Sequence, residues 1–98
     1  MRFLTDALTL SASEDALLGL QGLPHVRVVG TPSGGGSGRP RTLRLLPGQT
    51  LTVSTALTYD RCGRCVEGAG IPVDVPAAEA PPAPDAPDRV LAAADGAW

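Results

Sequence analysis

The sequence predicts a mainly β fold, a small five-stranded sandwich or open barrel with one short helix and an extended C-terminal arm rich in proline and alanine. The first supporting observation is residues 50–59, where the larger apolar side chains all fall on odd-numbered positions, the period of a strand. The second is the same pattern at Ile71, Val73 and Val75. The third is the division of the chain by glycine and proline into short segments, typical of strands joined by turns.

The first quarter of the chain predicts a strand followed by a helix. Residues 3–10 partly alternate between apolar and polar side chains and predict a short strand. Ser11 and Glu14 have the spacing of a capping box, in which each side chain bonds the other residue's backbone amide at a helix start. A helix is therefore expected near residues 13–20, and Pro24 prevents its continuation.

Two further strands are predicted on either side of a glycine-rich loop. Residues 25–30 and residues 42–46 are the strands, and residues 31–40, TPSGGGSGRP, are the loop. Glycine, serine and proline in this proportion are typical of a mobile connection. A phosphate-binding role is disfavoured, because that role requires a helix N-terminus after the loop and a strand follows here.

The composition changes at residue 76, which divides the chain into a small β-rich domain, residues 1–75, and an arm, residues 76–98. Proline and alanine dominate the start of the arm and are typical of a semi-rigid spacer. Asp88 is placed to cap a short final anchor helix. One side of this helix and the last residue are predicted to bind a protein partner, through Val90, Leu91, Ala94 and Trp98.

Cys62 and Cys65 are the two cysteines, and their spacing leaves three interpretations open. A thiol-redox centre normally lies at a helix start, but a poor helix-forming segment follows here. A zinc site needs four ligands, and the chain adds only His25 and carboxylates such as Asp60 and Glu67. The third interpretation is a two-residue hairpin turn with glycine at its first central position, which needs no helix start and no further ligand. The cysteines would then face each other as a thiol pair or a disulfide.

That hairpin would pair residues 50–59 with residues 71–75. Direct opposition of the two cysteines would put the apolar residues of the strands out of phase. A bulge of one extra residue within residues 68–70, where glycine is frequent, restores the phase and places Val53 opposite Val75.

Charge and hydropathy argue against several classes of protein. The net charge is −2, and the eight basic residues form no stripe that would bind nucleic acid. No apolar run is long enough for a membrane span, and no signal-peptide pattern is present, so a cytoplasmic location at synthesis is expected. No cofactor, metal ligand or catalytic residue is nominated, because His25 is the only histidine and no serine lies in a recognised catalytic motif.

The whole chain has three aromatic residues, so the expected core is lean, which favours a chain that is stabilised by its neighbours. We therefore expect a non-enzymatic structural or assembly subunit that binds protein partners as a homo-oligomer or in a larger assembly. A capsid-decorating or head–tail joining protein of a phage virion is the concrete version. The alternative is a small thiol-redox or metal-binding module that uses Cys62 and Cys65.

Overall fold

The computed structural model describes residues 1–78 and 84–97, and within these ranges the chain forms five strands and two helices. Neither helix in these ranges is long and apolar enough to cross a membrane. In chain order the elements are β1 (Arg2–Thr5), α1 (Ala12–Leu20), β2 (Arg27–Gly30), β3 (Pro40–Leu46), β4 (Gln49–Ser54), β5 (Val75–Pro76) and α2 (Arg89–Asp95).

Three short strands form a parallel sheet in the order β1, β2, β5. β1 and β2 pair from Arg2 opposite Arg27 onward, and Val29 of β2 lies opposite Val75 of β5. Parallel neighbours need a crossover connection, and α1 provides it between β1 and β2. The carboxyl ends of the strands and the start of α1 therefore lie at the same edge of the sheet.

Successive side chains of β2 point to opposite faces of the sheet and enter two separate apolar clusters. The first cluster contains Leu17, Val28, Val66 and Ile71. The second contains Val29, Val90 and Ala94. Since Leu17 belongs to α1 and Val90 to α2, the parallel sheet lies between the two helices.

β3 and β4 form a separate antiparallel hairpin in which Leu43 lies opposite Leu51. Almost all residues of both strands are exposed, and these two leucines are 48% and 44% exposed. Side chains alternate between the two faces of a strand. The hairpin therefore has one face with leucines and another with Thr42 and Thr52, whose hydroxyls lie 3.1 Å apart.

The mainly β prediction is confirmed, and five strands are present within residues 1–78 and 84–97. The sandwich or open-barrel arrangement is not confirmed, because three strands form a parallel sheet and the other two form a separate hairpin. The short helix predicted near residues 13–20 is α1. Asp88 caps α2 as expected, with its carboxylate accepting hydrogen bonds from the amides of Val90 and Leu91 at 2.9 Å each.

The predicted pairing of residues 50–59 with residues 71–75 is wrong. Val53 lies opposite Arg41 within the β3–β4 hairpin, whereas Val75 joins the parallel sheet. The physical reason is burial. β2 is covered on both faces, so pairing beside it removes more apolar surface from water than pairing with the exposed hairpin would.

The division of the chain at residue 76 stays a prediction. β5, Val75–Pro76, crosses that position, and the amide of Ala77 donates a hydrogen bond to the carbonyl of Gly30 at 2.8 Å. α2, beyond it, packs against β2. Residues 79–83 of the predicted spacer lie outside the described residues.

Candidate active site

Ser11 lies between β1 and α1 in a backbone conformation that residues other than glycine rarely adopt. Its φ is 58° and its ψ is −122°, and among the described non-glycine residues only Arg39 shares a positive φ. Such a conformation costs on the order of 1–3 kcal/mol, and it is found most often at functional sites. Ser11 is also exposed, so its hydroxyl lies on the molecular surface and not in the core.

Residues 6–10 form the turn that leads from the edge of the sheet to Ser11. Asp6 organises this turn: its carboxylate accepts a hydrogen bond from the amide of Leu8 at 2.9 Å, and its carbonyl accepts one from the amide of Thr9 at 3.0 Å. The carbonyl of Thr9 accepts a further bond from the amide of Gly34 at 3.0 Å. The turn replaces the second half of the predicted strand and is tied to the glycine-rich loop.

The carboxylate of Glu14 is fully buried and accepts four hydrogen bonds. Oε1 accepts from the hydroxyl of Ser33 at 2.6 Å and the amide of Gly35 at 2.7 Å. Oε2 accepts from the amide of Gly36 at 2.9 Å and the amide of Ser11 at 3.1 Å. A carboxylate has about four lone-pair sites, so this one is saturated.

The environment of Glu14 favours the charged form of its carboxylate. Burial raises the pKa of Glu14, but the bonds from the Ser33 hydroxyl and from the amides of Gly35, Gly36 and Ser11 outweigh it. The pKa is therefore lowered from its ordinary value, because each donor stabilises the anion. At neutral pH the site therefore contains a buried anion whose oxygens accept hydrogen bonds and donate none.

The glycine-rich loop, residues 31–40, is packed against the segment around Ile71. The amide of Ser33 donates to the carbonyl of Ile71 at 3.2 Å, and the amide of Ile71 donates to the Ser33 hydroxyl at 2.7 Å. At Gly35, where φ is 74°, a Cβ atom would lie 2.7 Å from the nitrogen of Gly70. The expectation of a mobile connection is wrong, because this loop is hydrogen-bonded to the segment around Ile71 and four of its residues are buried.

Glu67 binds the same loop. Its Oε2 accepts a hydrogen bond from the amide of Ser37 at 3.2 Å, one residue after the Gly36 amide that bonds to Glu14. The Ser37 hydroxyl is buried, and no described residue bonds to it. The carboxylates of Glu14 and Glu67 thus accept hydrogen bonds from two consecutive amides of the loop.

The turn at Cys62 and Cys65 is present, but the two cysteines do not face each other. Tyr59 pairs with Cys65 in an isolated antiparallel bridge, and the carbonyl of Asp60 accepts from the amide of Gly63 at 3.0 Å. The Asp60 carboxylate accepts a hydrogen bond from the amide of Cys62 at 2.9 Å within this turn. Both thiols are free, with Cys62 exposed and Cys65 half-buried.

His25 lies at the opposite edge of the parallel sheet from Ser11. It is exposed, two residues before β2, and its carbonyl accepts a hydrogen bond from the amino group of Met1. α1 has nine residues and, at 1.5 Å per residue, separates the two edges by about 13 Å. Within the described ranges, no three His, Cys, Asp or Glu side chains are grouped as a metal ion would require.

The side chains predicted to bind a partner lie in different surroundings. Val90 and Ala94 are buried against Val29, whereas Leu91 is 53% exposed. Trp98 lies outside the described residues. Partner binding by this set stays a prediction, but two of its members already pack within the chain.

Comparison with known proteins identifies the family. The sequence profile of peptidase family S41 matches residues 1–77. The chain belongs to this family. A search of curated proteins found no match.

Solved structures agree with the family S41 assignment. A candidate peptidase from Parabacteroides merdae ATCC 43184 is 31% identical, with a TM-score of 0.80 over 98% of this chain and 30% of that chain. A lipoprotein from Streptococcus agalactiae is 29% identical, with a TM-score of 0.61 over 76% of this chain and 26% of that chain. Mature CPAF, solved in complex with lactacystin, shares the fold at 18% identity, with a TM-score of 0.69 over 76% of this chain and 15% of that chain.

Family S41 membership corrects the functional expectation. The prediction of a non-enzymatic structural subunit of a phage virion, with capsid-decorating or head–tail joining roles, is wrong, because the family and a solved neighbour are peptidases. The thiol-redox or metal-binding alternative is wrong for the same reason. This chain spans 30% or less of the length of each of the three solved structures.

Sequence reasoning missed Ser11 and Glu14 as members of one site. It assigns Ser11 and Glu14 only to a helix start, which any surface helix can use. The available signal was the combination of this motif, directly after a strand, with a glycine-rich loop after the following strand. Neither feature alone distinguishes an active site from a turn.

Proposed function

We propose that this chain carries the nucleophile of a serine peptidase and that Ser11 is that nucleophile. The observation that carries the proposal is the positive φ of Ser11 on a turn from a strand to a helix. A sharp, strained turn of this kind exposes the nucleophilic serine in hydrolases of the α/β type. Membership of family S41 supports the same reaction, hydrolysis of a peptide bond.

The start of α1 provides a place for the negative charge that develops during the reaction. As the Ser11 hydroxyl oxygen bonds to the carbonyl carbon of the substrate, the carbonyl oxygen becomes an oxyanion, which backbone amides stabilise. Ala12 is the first residue of α1. The first amides of a helix lack intrahelical partners, and the helix dipole favours negative charge there. The Ala12 amide is therefore our candidate oxyanion donor.

The general base for Ser11 comes from outside these 98 residues. A serine hydroxyl needs a nearby base to accept its proton as it attacks. The chain contains no lysine, and its only histidine, His25, lies at the other edge of the parallel sheet. A base delivered by another segment or chain to the exposed Ser11 would complete the site.

Covalent labelling of the protein isolated from its source cells, with its bound chains retained, tests the nucleophile. An alkyl fluorophosphonate reacts by bond formation between the serine oxygen and phosphorus, with loss of fluoride and transfer of the proton to the base. We expect peptide mass spectrometry to find the adduct at Ser11. In Ser11→Ala, both the adduct and the peptidase activity should be lost. Ser13→Ala is the matched control, because Ser13 is an exposed serine in the first turn of α1. Full activity in Ser11→Ala contradicts the proposal.

Protein partners and a cytoplasmic location also remain proposals. The leucine face of the β3–β4 hairpin supports association, since Leu43 and Leu51 are exposed side by side. A two-stranded hairpin by itself is marginally stable in water. We propose a homo-oligomer in which this face packs against a second copy of the chain. Fractionation of the source cells tests the location.

A further inference from the structure

We infer that Glu14 is a positioning residue for Ser11: its buried carboxylate holds the Ser11 turn and the glycine-rich loop together and so maintains the conformation of the nucleophile. This inference rests on the proposed function. It assigns Glu14 no contact with substrate and no proton transfer. Its role is to act through Ser11.

The first argument is that Glu14 bonds directly to the strained residue. The amide of Ser11 donates to Oε2 at 3.1 Å, and the φ of Ser11 is 58°. A strained conformation persists only where the surroundings over-determine it. The bond fixes one side of the Ser11 backbone, while α1 fixes the other, because the Ser11 carbonyl accepts from the amides of Glu14 and Asp15 at 2.8 and 3.1 Å.

The second argument is that a helix cap alone does not need this arrangement. A capping-box glutamate satisfies one amide, that of the N-cap residue. Glu14 accepts three further bonds, all from the loop at positions 19 to 22 residues away, namely from Ser33, Gly35 and Gly36. The two short contacts, at 2.6 and 2.7 Å, are with the loop and not with the cap.

The third argument is chemical. All four groups that face the carboxylate donate hydrogen bonds to it. A glutamine has nearly the same shape, but its NH₂ group is a donor and would face N–H or O–H groups. The site therefore requires an anion, and Glu14→Gln disturbs the bonds without removing the side chain's volume.

The experiment measures the reaction of Ser11 with an alkyl fluorophosphonate in protein isolated with its bound chains. The rate constant of inactivation is separated from the affinity for the probe, and each variant's thermal unfolding is recorded. For Glu14→Gln we expect an inactivation rate constant lower by about 10- to 100-fold, with probe affinity little changed, because misplacement of a reacting atom costs rate. Asp15→Asn, an exposed acid on the same turn of α1, should react like the wild type.

The possible outcomes separate this inference from the proposed function. If wild-type protein gives no adduct at Ser11, the proposed function fails. If Ser11 is labelled equally fast in wild type and in folded Glu14→Gln, only the inference fails, even where the melting temperature falls. If Glu14→Gln does not fold, Ser33→Ala takes its place, since it removes one of the four donors. Its labelling rate should lie below the wild-type rate, and an unchanged rate overturns the inference.

Discussion

The Ser33 hydroxyl donates to the Glu14 carboxylate at 2.6 Å and accepts from the Ile71 amide at 2.7 Å. This single side chain joins α1, the glycine-rich loop and the segment that leads to β5. Such side-chain bonds, together with backbone bonds outside the regular strands, determine the position of the loop beside Ser11. The candidate site therefore depends on a few buried polar atoms, and its stability should respond to small changes near them.

Gly70→Ala should destabilise the fold through the contact between Gly70 and Ser33. The φ of Gly70 is 73°, and an added Cβ would overlap the carbonyl oxygen of Ser33. We expect a loss of more than about 2 kcal/mol in the free energy of unfolding. Gly19→Ala is the matched control: Gly19 lies within α1, and an added Cβ meets no atom within 4 Å. It should stabilise the protein by about 0.5–1 kcal/mol. Urea denaturation measures both, and equal effects would contradict the packed-loop description.

The pH dependence of stability should contain a contribution from Glu14. Because its pKa in the folded state lies below the ordinary value of 4.5, the native state binds fewer protons than the unfolded state near that value. Glu14 then contributes stability that is fully present above the unfolded pKa and is lost as the pH falls through the folded pKa. We expect the free energy of unfolding to decrease below about pH 5. Glu14→Gln should have a smaller slope, and Asp15→Asn should keep the wild-type slope. Identical slopes in wild type and Glu14→Gln would remove Glu14 as the cause.

Local signals predicted the elements that depend on neighbouring residues. The start of α1 follows from the capping motif at Ser11 and Glu14, and the start of α2 follows from Asp88. The predicted pairing of residues 50–59 with residues 71–75 was wrong. Alternation of apolar and polar residues indicates that a segment suits a strand, but it does not indicate which strand is its partner. The partner of Val75 is Val29, 46 residues away.

The candidate site was harder to predict than the helices. The positive φ of Ser11 could not be predicted from the sequence, because residues with a positive φ are usually glycine and this one is a serine. The burial of Glu14 depends on the loop at residues 33–36, which appeared polar and mobile in sequence. A glutamate three residues after a serine predicts a capping box, and only the tertiary contacts distinguish it from a saturated buried carboxylate.

The leucine face of the β3–β4 hairpin should control self-association. In the variant Leu43→Ser with Leu51→Ser, two exposed apolar side chains become polar, and we expect the dissociation constant of the oligomer to rise at least about tenfold. The matched control is Thr42→Ser with Thr52→Ser, which changes the opposite face of the same strands. Sedimentation equilibrium measures both variants. A wild-type chain that stays monomeric at all concentrations, or equal effects of the two variants, would rule out this surface.

Val90 and Leu91 are neighbours on α2 with opposite surroundings, so they show whether the end of the arm serves the fold or a partner. Val90 is 7% exposed and packs in the cluster with Val29, whereas Leu91 is 53% exposed. Val90→Ala removes two buried methyl groups and should lower the free energy of unfolding by about 2 kcal/mol. Leu91→Ala should change it by less than about 0.5 kcal/mol. If Leu91→Ala leaves stability intact but weakens association in sedimentation, Leu91 binds a partner while Val90 supports the fold. If Val90→Ala is as stable as the wild type, α2 does not pack on the parallel sheet in solution, and all of its apolar residues are available to a partner.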